Sequence, residues 1–270
     1  MKFGICNEIF KDWNDMDRTI AYVREVGYDG LEIAPFTLAA SVTDIPDATR
    51  RAIAQRAEQE GIEIVGFHWL LAGTEGLHLT HPEATVRERT AAYVRDLARF
   101  CGDVGGRLMV FGSPAQRNIL DGVTKSEAFD YAREVFESAL PVCEENGVTL
   151  CMEQLSHLET NFCDTVKDTV QLVEAVAHPN FQLLLDTKAM AFEETSRADL
   201  IRKHATVLHH YHANDENLGY PGSGEVDFAP IFEALHAIDF TGYVSVEVFD
   251  FEPGPEAIAE KSLAYLKQFV

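Results

Sequence analysis

Short apolar runs alternate along the whole chain with longer stretches whose apolar residues recur every three or four positions. The runs predict strands over 3–6, 30–33, 62–67, 107–111, 148–153, 181–186, 207–212 and 243–247. A parallel strand covered on both faces reads as such an uninterrupted run. The longer stretches predict helices over 13–26, 47–60, 83–104, 126–146, 166–176, 197–204, 228–238 and 256–269. Gly27, Gly61, Gly105 and Gly147 follow four of them as stop signals. Alternating β and α units imply a parallel sheet. Eight units in 270 residues, without a linker or low-complexity tract, predict one closed (β/α)8 barrel domain over 1–270, a TIM barrel. A doubly wound open sheet is the alternative, and it wants a glycine-rich phosphate loop after the first strand. Asn7-Glu8-Ile9-Phe10 stands there instead.

Four of the apolar runs end in a charged or ligating residue. The fifth strand ends in Glu153, the sixth in Asp186, the seventh in His212 and the eighth in Glu247. In a (β/α)8 barrel the C-terminal strand ends form the active face, so these four side chains are expected to converge. Three carboxylates and one imidazole make an oxygen-rich set. It suits Mn²⁺, Mg²⁺ or Co²⁺ better than a structural zinc, which draws on cysteine. The expected cofactor is one divalent ion, Mn²⁺ first.

Composition narrows the partners. Lys plus Arg number 22 against 44 Asp plus Glu, a net charge of −22. That opposes binding to nucleic acid, whose affinity comes mostly from cations on phosphate. No apolar run reaches the ~20 residues that span a bilayer, and residues 1–5 do not read as a signal peptide. The five cysteines form no C-x-x-C pair and read as reduced, buried thiols. The expectation is a cytoplasmic protein acting on a small molecule.

The residues also carry a resemblance. Gly27-Tyr28-Asp29-Gly30-Leu31-Glu32, Gly66-Phe67-His68, Glu153, Asp186-Thr187, His212 with 221–228 (PGSGEVDF), and Val246-Glu247 occur in this order. In that spacing the chain resembles the sugar phosphate isomerase/epimerase family, the xylose isomerase-like barrels. That family includes ketose 3-epimerases and hydroxypyruvate isomerases. The resemblance implies that Glu153, Asp186, His212 and Glu247 bind one divalent metal. It also implies that Glu153 and Glu247 move the protons, that Glu159 contacts substrate, and that the chain forms a homo-oligomer. The implied reaction is metal-dependent epimerisation or isomerisation of a sugar, through an enediolate formed next to a carbonyl.

Two positions depart from the ketose 3-epimerase pattern. Ala189 stands where a substrate-binding His is placed, and Leu218 where an Arg is placed. These departures keep open a second reaction on the same platform, enolisation of a 3-oxo-sugar followed by elimination. Endonuclease IV shares the fold, but its extra His and Asp ligands are missing here. A non-catalytic barrel is disfavoured by four intact ligand positions. For the pocket rim the sequence offers His68, Trp69, Gln116, Arg117 and Lys188. The Gln116–Arg117 pair is a candidate for sugar hydroxyls or a phosphate. His210 shares strand parity with His212 and is expected to point inward. Asn7 and Glu32, at the ends of the first two strands, are expected on the floor of the site.

Overall fold

A computed structural model describes residues 1–270. Eight strands run β1 (Lys2–Cys6), β2 (Gly30–Ile33), β3 (Glu63–Phe67), β4 (Leu108–Phe111), β5 (Thr149–Glu153), β6 (Phe181–Asp186), β7 (Leu208–Ala213) and β8 (Tyr243–Val246). All neighbours pair in parallel, and β8 closes on β1. Between them lie α1 (Met16–Val26), α2 (Asp47–Glu60), α3 (Ala84–Asp103), α4 (Lys125–Glu145), α5 (Val166–Val176), α6 (Arg197–Lys203) and α7 (Ala229–Ala237), and α8 (Pro255–Leu266) follows β8. The fold is the expected xylose isomerase-like (β/α)8 barrel.

Two apolar layers hold it. The larger fills the space between strands and helices, with ring pairs such as Phe67–Phe100 and Phe111–Phe136 joining β3 to α3 and β4 to α4. The smaller comprises Val65, Leu108, Val110, Cys151 and Leu184. Cys151 and Leu184 stand two residues before Glu153 and Asp186, hence on the same inward strand face. They plug the barrel below the polar site. β3 and β4 meet closely at Gly66, where an added Cβ would lie 1.8 Å from the Leu108 carbonyl oxygen.

One boundary differs in a way that matters. The first helix starts at Met16, not residue 13, because Asn7–Trp13 winds into a 3-10 helix and Asn14 turns left-handed at φ 46°. Asp15 then caps α1 by accepting from the Arg18 N–H at 2.9 Å. The early 3-10 turn, directly after β1, buries Asn7 and Glu8.

Candidate metal centre and its pocket

β5, β6, β7 and the residue just beyond β8 bring the four strand-end residues together. Ligand atoms of Glu153, Asp186, His212 and Glu247 all lie within 4.8 Å of one another, and all four residues are buried. His212 Nδ1 is 3.0 Å from Glu247 Oε2 and 3.6 Å from Glu153 Oε1. Its other nitrogen, Nε2, donates to Glu32 Oε1 at 3.1 Å. The imidazole thus has one nitrogen anchored and the other turned to the carboxylates, the arrangement of a metal-ligating histidine with an outer carboxylate. Asp186 is held from behind: Ala189 N–H donates to Oδ1 at 2.8 Å and Asn214 Nδ2 to Oδ2 at 2.6 Å. An added Cβ on Gly112 would lie 2.2 Å from Glu153 Oε2, so glycine leaves the room this carboxylate uses.

The electrostatics show what the cluster lacks. Burial, with Glu247 and Asp186 nearby, pushes the Glu153 carboxyl up to about 7 against the pull of His212. Burial also raises Asp186, although Lys188 opposes it. Glu247 goes the other way: burial disfavours its charge, but His212, His68 and the Trp69 indole together lower it to about 2. Burial acts against the His212 cation too, yet Glu247 and Glu32 hold it well above the usual imidazole range. Three buried carboxylates around one imidazole are short of positive charge, which a divalent cation would supply. The donor set and its spacing fit such an ion.

A pocket of about 150 Å³ opens above the cluster. Glu153, Glu247, Trp69, Glu159 and Phe249 are among its walls. Trp69 Nε1 donates to Glu247 Oε1 at 2.8 Å. Lys188 Nζ reaches Glu159 Oε1 at 2.5 Å and lies 4.5 Å from the centre of the Phe249 ring. A larger cavity, about 740 Å³, opens at the opposite end of the barrel beside Glu63, Arg107 and Tyr243. It holds no converging ligand set, so the chemistry singles out the smaller one.

Several expected rim residues sit elsewhere. Arg117 is fully buried, and its guanidinium donates to the carbonyls of Phe162, Phe111, Gly112, Glu153 and Cys163 at 2.8–3.5 Å. All three guanidinium nitrogens are engaged by carbonyls, and the group is shut off from solvent; Arg117 is a structural tie between the β4 and β5 loops. Gln116 closes the turn before it, its carbonyl accepting from Leu79 N–H at 2.7 Å, and does not line the pocket. His68 and His210 are buried below the pocket. His68 Nε2 is 2.7 Å from Glu8 Oε2, and His210 Nε2 donates to Glu32 Oε2 at 2.8 Å. Asn7 is not on the floor either: it donates to Thr37 Oγ1 and accepts from Ala34 N–H, joining the first two loops. Glu32 lies below the cluster, as its place at the end of the second strand suggested. Glu8, Asn214 and Phe249 were not foreseen. A lone carboxylate inside the apolar run 3–10 is the signal that could have found Glu8.

The family model for the xylose isomerase-like TIM barrel matches residues 20–269. The chain belongs to this family. Among curated relatives, it is 29% identical over 260 residues to a D-psicose 3-epimerase of Agrobacterium fabrum, covering 92% of this chain and 85% of that one. It is 24% identical over 275 residues to a 3-dehydro-D-guloside 4-epimerase of Escherichia coli, covering 99% of each. The crystal structure of D-psicose 3-epimerase with D-tagatose from Clostridium cellulolyticum superposes with a TM-score of 0.86 at 25% identity, covering 100% of this chain and 98% of that one. This xylose isomerase-like barrel is therefore similar over its whole length to sugar epimerases.

Proposed function

We propose that the protein is a divalent-metal-dependent epimerase of a keto sugar, with Glu153, Asp186, His212 and Glu247 holding the ion and Glu153 and Glu247 moving the protons. The carrying observation is that these two carboxylates belong to one ligand cluster and wall one pocket. A bound divalent ion supplies Lewis-acid stabilisation of negative charge developing on a carbonyl oxygen; Mn²⁺ suits the oxygen-rich donors best. A sugar ring in the pocket presents a C–H beside its carbonyl to one carboxylate, and the other returns a proton to the opposite face, inverting that carbon. Proton transfers by placed groups contribute roughly 10²–10⁴-fold each. The unequal surroundings of the two carboxyls, one raised to about 7 and one lowered to about 2, suit one acid and one base. Glu32 keeps His212 turned to the ion, and Trp69 fixes the free oxygen of Glu247.

The relatives support a sugar substrate, since those named above are epimerases of ketoses or of a 3-dehydro-glycoside. Five free, buried cysteines suit a reducing, cytoplasmic setting. The test is deuterium uptake in D₂O by ketoses and 3-oxo-glycosides, read by mass spectrometry with the Mn²⁺-loaded protein. Uptake without loss of mass marks epimerisation or isomerisation; release of a fragment marks the elimination reading that Ala189 and Leu218 keep open. Glu247→Gln should abolish uptake, as should chelation. Uptake that survives in a metal-loaded Glu247→Gln protein ends the assignment.

A further inference from the structure

Four large apolar side chains of this chain are exposed. One is Val270 at the C-terminus, 63% exposed. The other three are Leu158 (72%), Phe192 (49%) and Leu218 (48%). They stand on the loops after β5, β6 and β7, three consecutive strands, at the face where the pocket opens. Leu218 adjoins a pocket wall directly. Phe249, a pocket wall, donates its backbone N–H to the Leu218 carbonyl at 2.8 Å. The Phe192 ring lies edge-on to His157 at 4.9 Å, next to Leu158, on the loop that walls the pocket through Leu155 and Glu159. The same two loops are tied by the ion pair of buried Lys188 with half-buried Glu159, a pocket wall.

Size and charge define what fits. At about 150 Å³ the pocket is well below the 300–1,000 Å³ of sites that enclose a drug-sized ligand. It holds a sugar ring, and anything attached must lie outside, along the rim. No Lys or Arg lines the pocket, while three of its walls are carboxylates. Three cations of the surrounding loops are engaged: Lys188 with Glu159, Arg117 with carbonyls, and Arg197 with Glu216 and the Thr187 carbonyl. A divalent ion among Glu153, Asp186 and Glu247 leaves one negative charge uncompensated, so a phosphate or carboxylate on the sugar would meet repulsion.

Resting on the epimerase reading, we infer that the substrate is an uncharged sugar carrying an apolar, ring-sized substituent, which lies across Phe249, Leu218 and Phe192 at the mouth of the barrel. Removing a phenyl-sized apolar surface from water is worth on the order of tenfold or more in affinity. The polar ring then positions the reacting C–H, and the substituent supplies binding energy remote from it.

Two measurements on the Mn²⁺-loaded protein test this. The first is calorimetric binding of methyl and phenyl 3-oxo-β-glucosides and of the phenyl compound's 6-phosphate. The second is deuterium uptake by the same three, with kcat/KM for each. The expected result is at least about tenfold tighter binding of the phenyl than the methyl glycoside, and at least about tenfold weaker binding of the phosphate. In the Leu218→Asn/Phe192→Ser double variant the phenyl preference should shrink to within about threefold, while the remote Val270→Ser retains it. Asn tolerates the left-handed backbone of residue 218, at φ 69°. Equal binding of methyl and phenyl compounds, or preference for the phosphate, overturns the inference. So does a change of oligomeric state in the double variant with the preference intact, which would mean that a second copy covers the rim. Selective binding without deuterium uptake leaves the inference standing and removes the epimerase reading; uptake without selectivity does the reverse.

Discussion

Glu32 and His212 meet at 3.1 Å inside the barrel, 180 residues apart in sequence, and neither is reachable by solvent. The same carboxylate binds His210 through its second oxygen. Burial disfavours its charge, yet the two imidazoles hold it well below the usual carboxylate range. Outer partners of this kind orient a ligating ring, and their loss typically weakens metal binding 10–100-fold. Glu32→Gln is therefore expected to lower Mn²⁺ affinity by about that factor, measured by competition with a chelating dye. An unchanged dissociation constant would show that the ring is fixed by packing alone.

Metal uptake should release protons, and the number should depend on pH. In the metal-free protein His212 is held protonated by Glu247 and Glu32, and a cation needs its neutral form. Glu153, raised to about 7, also keeps its proton below that pH and must give it up. The sign follows: about one more proton is released at pH 6 than at pH 8, the one Glu153 gives up, and apparent affinity falls as pH falls. Titration calorimetry of Mn²⁺ binding in buffers of different ionisation enthalpy reads the count. A count that is flat from pH 6 to 8 rules out Glu153 as a ligand that was protonated beforehand.

Arg117 should matter for folding rather than for substrate. Arg117→Met strips hydrogen bonds from the buried carbonyls it gathers from the β4 and β5 loops. Leaving such groups unpaired typically costs on the order of 3–5 kcal/mol. Urea unfolding should show a midpoint shifted down accordingly. A loss below about 1 kcal/mol together with a raised KM would return Arg117 to the substrate.

Gly112→Ala is expected to act on Glu153 alone. The added methyl would lie 2.2 Å from Glu153 Oε2, and the backbone there has no positive φ for alanine to resist. The carboxylate has to move, so turnover should fall roughly 10²-fold while the far-ultraviolet circular dichroism stays unchanged. Full activity would mean that Glu153 works from a different position.

Much of this was legible along the chain because of a physical cost. A buried parallel strand is apolar throughout, so a carboxylate or imidazole at its end is expensive unless it has a partner. That is why Glu153, Asp186, His212 and Glu247 stood out, while parity placed His210 inside. Arg117 and Asn7 read wrongly for one shared reason. Each is a polar residue at a strand end or in a loop, and such a residue either meets a ligand or satisfies backbone groups of other loops. Arg117 bonds carbonyls 36 and 45 residues away, and Asn7 a backbone N–H 27 away. Periodicity carries no information about those partners.

The alternation of apolar runs and amphipathic stretches was sufficient by itself for the eightfold barrel and for the positions of four candidate ligands, because both follow from local burial and strand parity. Which polar side chains face the pocket and which hold the scaffold was decided only by the folded chain. Hydrogen-bond satisfaction is a property of groups that meet in space, and here they come from strands up to 180 residues apart.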